Sequence, residues 1–300
     1  MNTMLKYDPN SPKNKHIKLF VMDQLVKSKE KTRRNSYTLL KQMCKVKNSF
    51  PSSSPQISPL TNRVTFITEI LNSFKVQYQL DVFSERGEDV LDYNNSKLIN
   101  VIVEFNSHLR NIPATMFSAH HDVVNIHSDN AQDNTASICN LLYLCKILKQ
   151  QELSNKRIIV VFTDREECGG IGAKRMSNRI NSNEFGTVDK IYNLELTGLG
   201  KTLWVDTKTK NFTSTINHIS LDHLKETLKD QEVLDVFTPF SDAVIFRKEG
   251  LDAVCIGILP KEDVVEKSTW RLCHSIGDDF NNTNEEDMTN FVENVLYKLI

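Results

Sequence analysis

The sequence predicts an α/β fold, a mixed and mostly parallel twisted sheet sandwiched between helices. Two observations carry that reading. Strand-like and helix-like stretches alternate from about Phe66 onward, the pattern of strands packed between covering helices. The run Arg157-Ile158-Ile159-Val160-Val161-Phe162 reads as a buried strand, and it gives out into Asp164-Arg165-Glu166-Glu167-Cys168-Gly169-Gly170. Two adjacent carboxylates thus sit on a glycine-rich turn at a strand's carboxyl end, where open α/β sheets place their chemistry.

The first 60 residues stand apart. Positions 1–49 hold 12 Lys or Arg against 3 Asp or Glu, a balance of +9 that leaves −10 for the rest of a chain of formal charge −1. Ile17, Phe20, Val21 and Leu25, then Leu39, Leu40, Met43 and Val46, recur at roughly helical spacing. Two amphipathic helices are expected, broken near Arg33-Arg34-Asn35-Ser36. Pro51-Ser52-Ser53-Ser54-Pro55 reads as a linker. Residues 1–60 are therefore expected to form a basic helical extension and 61–300 the main domain. The basic face reads first as a solvated surface, and second as a contact for an acidic partner or a neighbouring subunit in a homo-oligomer. Nucleic-acid binding is not expected, because no aromatic-interleaved basic motif accompanies the charge.

The other elements follow in order. A helix is expected over 62–74, then strands over 76–83 and 100–105. The strand Ala114–His120 ends in His120-His121-Asp122; side chains alternate along it, so His120 and Asp122 point one way and His121 the other. Asp133-Asn134-Thr135 opens a helix over 134–150, with Ile138, Leu141, Leu142, Cys145 and Leu148 spaced for one buried face. Taken alone, Asp133 reads as an ordinary N-cap. The strand Arg157–Thr163 and its acidic turn lead into a helix over 172–180. A strand over 190–196 carries Glu195 at its end, and Thr202–Asp206 is a further strand. Helices over 213–229 and Asp242–Lys248 precede the last core strand, 253–258. Cys273-His274-Ser275 falls in a loop, and 285–299 closes the chain as a helix.

Each acidic or imidazole candidate is weak alone, but their fixed order is informative. His-x-Asp, Asp-Asn-x-Ala-Ser, Glu-Glu-x-Gly-x-x-Gly, an acid at a strand end and His-Ser resemble the co-catalytic zinc exopeptidases, and among them the single-domain zinc aminopeptidase family. The resemblance covers roughly residues 60–300. It implies two divalent metal ions, expected to be zinc, bridged by Asp133. His120 and Glu195 would complete one site, Glu167 and His274 the other. Glu166 would be the general base and Asp122 would support His120. Asp242, in a segment resembling the family's pocket lining, would bind substrate. The implied enzyme is an aminopeptidase or dipeptidase, removing N-terminal residues from peptides through a hydroxide bridging two ions about 3.5–4 Å apart. Three departures bear on specificity: Glu195 where relatives often carry Asp, Ile138 where many have Gly, and Ala243 where a His often follows the Asp. The 78 residues between Glu195 and His274, and the 12 between His120 and Asp133, leave no room for the inserted domains of related families, so one catalytic domain is expected. The alternatives are a one-zinc acyltransferase resembling glutaminyl cyclases, and a non-catalytic binding protein on the same fold.

Met1 to Asn10 is polar and no 18-residue apolar run occurs, so neither a signal peptide nor a membrane span is expected. The six cysteines, Cys168 and Cys273 beside the proposed ligands included, show no paired or zinc-knuckle spacing. A cytoplasmic protein with free thiols is the reading.

Overall fold

The structure, a computed structural model, describes residues 35–46, 62–84, 98–123, 127–151, 153–207, 219, 221–236, 240–266 and 272–300. Among the described residues, eight strands form one sheet: β1 (Gln79–Phe83), β2 (Leu98–Phe105), β3 (Ala114–His120), β4 (Arg157–Thr163), β5 (Val188–Leu194), β6 (Thr202–Asp206), β7 (Val233–Asp235) and β8 (Ala253–Leu259). Their order is β1-β2-β4-β3-β5-β8-β6-β7. Pairing is parallel across β4-β3-β5-β8 and between β6 and β7, and antiparallel at the three remaining junctions. The described helices are α1 (Ser36–Val46), α2 (Asn62–Ser73), α3 (Ala136–Gln150), α4 (Ile171–Asn181), α5 (Leu221–Thr227), α6 (Asp242–Lys248), α7 (Lys261–Glu266) and α8 (Glu285–Asn290).

Strand periodicity divides the apolar residues between two cores. Ile158, Val160 and Phe162 of β4, with Phe117 and Ala119 of β3, face a core closed by α1, α2, α3 and the C-terminal helical segment. Ile159 and Val161, with Met116, face the opposite core, closed by α4, α6 and α7. Central strands buried on both faces explain the nearly continuous apolar run in β4. The sheet is thus sandwiched between helices, as expected.

Register then decides which residues meet at the carboxyl edge. His120 pairs with Thr163, so the turn after β4 starts beside it. Ser118 pairs with Asn193, which brings His120 and Glu195 alongside each other two residues further on.

Several boundaries differ from expectation. The strand expected over 76–83 starts at Gln79, and α3 starts at Ala136, after the Asp133 turn. Strand β7 was not foreseen, because three residues are too few for alternation to register; nor was α7, a six-residue helix directly after Pro260. The single helix expected over 285–299 divides into α8, a π turn (Phe291–Val295) and a 3-10 turn (Leu296–Leu299). The helix expected around Ile17–Leu25, the linker at 51–55 and most of 213–220 lie outside the described residues. Among the described residues, no helix is long and apolar enough to cross a membrane. All six cysteines are free thiols.

Helix α1, the second expected in the basic extension, contributes fully buried Leu39, Leu40 and Met43 to the first core. Its Tyr37 ring lies 5.0 Å from that of Phe280. Leu39→Ala is accordingly expected to cost about 2–5 kcal/mol, the range for emptying a packed leucine site. Urea unfolding checks this, and a negligible loss would show that α1 is not integral to the core.

Candidate metal centre

Five elements converge on a cavity of about 520 Å³ at the carboxyl edge of the parallel strands, lined by His120, Asp133, Glu166, Glu167, Glu195 and His274, with Gly169, Leu196, Phe240 and Cys273. Asp133 lies at its centre. Its Oδ1 is 3.0 Å from His120 Nε2 and its Oδ2 is 3.2 Å from His274 Nε2. Glu195 Oε2 stands 3.4 Å from the same His120 nitrogen, and Glu167 Oε2 stands 2.9 Å from that of His274. Two groups of donors result: His120, Asp133 and Glu195, and Asp133, Glu167 and His274. Within each, the donor atoms lie within 4.8 Å of one another. Glu166 joins His120 and Glu167 in a third such group. Another cavity of similar size, about 530 Å³, is lined by Val76, Glu104, His108 and Leu148 among others. Among the described residues it holds no such donor group.

Local backbone explains how each side chain arrives. After β4 the chain must turn sharply to enter α4. Gly170, at φ +68°, permits the turn, and a Cβ there would come within 2.5 Å of Ile245. A Cβ on Gly172 would come within 2.4 Å of the Asp164 carbonyl, so only glycine lets the helix start this close. Asp133 does not cap α3: it and Asn134 have non-helical torsions, and their peptide bond is cis. The Asn134 side chain instead donates to the Leu194 carbonyl, one residue before Glu195.

Two carboxylates hold the frame, and one of them was not anticipated. Asp122 Oδ1 stands 3.4 Å from His120 Nδ1. It also accepts the backbone N–H groups of Glu166 (3.1 Å) and Glu167 (3.2 Å), which fixes the acidic pair. Asp278 accepts the N–H groups of Gln132 (2.7 Å) and Asp133 (3.1 Å), tying the His274 loop to the Asp133 turn. An acid four residues after His274 was the available signal, but an isolated loop Asp carries little weight in sequence. Asp242 is fully buried and is not among the cavity-lining residues; its Oδ2 accepts from Thr163 Oγ1 at 2.5 Å, and its Oδ1 lies close to Gly170.

Electrostatics test whether cations fit. Six carboxylates (Asp122, Asp133, Glu166, Glu167, Glu195 and Asp242) surround two imidazoles, so negative charge is in surplus. Burial pushes Glu166 well up, and Glu195, Asp242 and Glu167 add to the rise. Burial, with Asp133 nearby, likewise raises Glu167 to about 7. Burial would lower His120, but Glu195, Asp122 and Asp133 outweigh it and hold the imidazole well above its ordinary 6.5. Each main group offers one imidazole and two carboxylates, and nitrogen and oxygen donors of this kind suit zinc. With His120 Nδ1 directed at Asp122, Nε2 is free to ligate. The residues present fit divalent metal ions.

The chain belongs to peptidase family M28, whose sequence model matches residues 100–299. All the cavity's acids and imidazoles fall inside that span. The fold is similar to LapA aminopeptidase of Legionella pneumophila, with TM-score 0.68 and 13% identity over 99% of this chain and 76% of that one. It is similar to a glutaminyl cyclase of Porphyromonas gingivalis, with TM-score 0.66 and 18% identity over 88% and 96% of the two chains. It also matches BSAP, a zinc aminopeptidase of Bacillus subtilis, with TM-score 0.56 and 20% identity over 67% of this chain and 49% of that one. This last match therefore spans about half of the Bacillus chain. At these identities the likeness is one of fold. No curated protein sequence matches the chain.

The shifts have a consequence for the metal-free protein. Hydrogen bonding to Asp133 raises His274 from 6.5 to about 9, and burial raises Glu167 from 4.5 to about 7. Both groups bind more protons in the native than in the unfolded chain across that range, so stability falls as pH rises. Melting in chelator should give a lower Tm at pH ~8.5 than at pH ~6, and excess zinc, which binds the deprotonated ligands, should narrow the gap. A higher alkaline Tm without metal would contradict this account.

Proposed function

We propose that the chain is a two-metal aminopeptidase, a hydrolase that removes N-terminal residues from peptides, with zinc as the ion. One observation carries the reading: the two oxygens of Asp133 face two different imidazoles, and each imidazole has a further carboxylate of its own. In this reading His120, Asp133 and Glu195 hold one ion, and Asp133, Glu167 and His274 hold the other. When bound, such a pair supplies Lewis acidity and lowers the pKa of water, which peptide hydrolysis at neutral pH needs.

The protein's own groups do the rest. Glu166 lines the cavity at 7% exposure, with its backbone fixed by Asp122. Its carboxylate takes the proton of the attacking water and delivers it to the nitrogen of the leaving amine. A raised pKa suits a group that must hold that proton between the two transfers. The surplus of negative charge favours a substrate whose α-amine is free and protonated. Glu166 lines the cavity where such an amine would bind, and the buried Asp242, whose charge already bears on Glu166, would add to the field.

Two measurements test the reading. Glu166→Gln should cut turnover about 10²–10⁴-fold while metal content stays near wild type, whereas Glu167→Gln should lose metal. Retained activity in Glu166→Gln, or equal metal loss in both variants, would sink the assignment. Peptides with a free amino terminus should be cleaved and their acetylated forms spared. One zinc per chain, together with cyclisation of N-terminal glutamine, would instead favour the acyltransferase alternative.

A further inference from the structure

We propose that Arg63, on α2 and outside the span matched by the family model, is a positioning residue that holds the two backbone segments carrying His120 and Asp133 at their working separation. The inference rests on the metal-site reading given above.

Arg63 is 5% exposed. Among the described residues, no Asp or Glu forms an ion pair with it. A buried guanidinium is costly unless hydrogen bonds compensate it, so where those bonds go is informative. Both go to the site. Nε donates to the His121 carbonyl at 2.5 Å, between His120 and Asp122. Nη1 donates to Thr135 Oγ1 at 3.0 Å, two residues after Asp133. That hydroxyl in turn donates to the Asn130 carbonyl at 2.5 Å, closing the turn from which Asp133 projects.

The chain Arg63–Thr135–Asn130 thus braces the Asp133 turn, while the other arm of the guanidinium braces the end of β3. The planar fork of arginine can hold both arms at a fixed angle; a lysine ammonium is a single point donor on a flexible stem. Groups hydrogen-bonded to metal ligands typically alter affinity by about 10–100-fold when removed, and Arg63 acts one step further out, through the backbone that carries His120 and Asp133.

Calorimetric titration of chelator-stripped full chain with zinc alone tests this. Arg63→Met and Thr135→Val should each weaken zinc binding by about 10-fold, the low end of the range for groups bonded directly to ligands. The double variant should lose little more than Arg63→Met alone, since that substitution already cuts the link to Thr135. Arg63→Lys should fall between wild type and Arg63→Met. Phe66→Leu, a packing change on the same helix, should lower Tm without changing zinc affinity, and this separates positioning from general destabilisation. If Arg63→Met does not fold, Arg63→Lys and Thr135→Val decide the matter. Unchanged affinity in these folded variants, or an equal loss in Phe66→Leu, overturns the proposal and leaves the metal reading standing. Failure of the unmodified chain to bind zinc overturns both.

Discussion

The arrangement depends on one carboxylate. Asp133 presents each of its oxygens to a different imidazole, and this requires two other segments, the end of β3 and the His274 loop, to arrive within about 3 Å of a single side chain. Parallel pairing brings β3, β4 and β5 to a common edge, but it cannot place the His274 loop or the turn before α3. Hydrogen bonds do that. Asp278 holds the loop to the turn, Asn134 holds the turn to β5, and Asp122 holds the Glu166-Glu167 pair to β3.

The same convergence is energetically unfavourable in the bare chain. Like charges are brought together out of water, which raises the pKa of several carboxyls and favours the protonated forms. Backbone strain accompanies it. Arg165, Leu196 and His274 all have φ near +60°, each immediately beside or within the donor set, at a cost of about 1–3 kcal/mol apiece. Two packed cores on either side of an eight-stranded sheet supply the stability that offsets this.

Much of the fold was legible because its signals are local. The apolar run of β4, the period of α3 and the alternation in β3 each report a buried face directly. The order of acids and imidazoles was also legible, since each follows a strand or opens a turn. Residues that act through long-range contacts were not. Arg63 lies 58 positions from the carbonyl it grips, and Asp278 lies 145 from the N–H of Asp133. Nothing in their immediate neighbours distinguishes them from surface charges. Asp242 illustrates the converse: its motif suggested a pocket-lining residue, yet its side chain lies fully buried against Thr163.

The two donor groups also differ in their access to solvent. His120 has a side-chain exposure of 1%, whereas His274 has 55%. Ions held by the two groups would therefore exchange on different clocks. The one on His274 would meet the surrounding pool more readily than the one on His120. On the two-metal reading, loading and stripping at the exposed His274 group would run ahead of those at the buried His120 group.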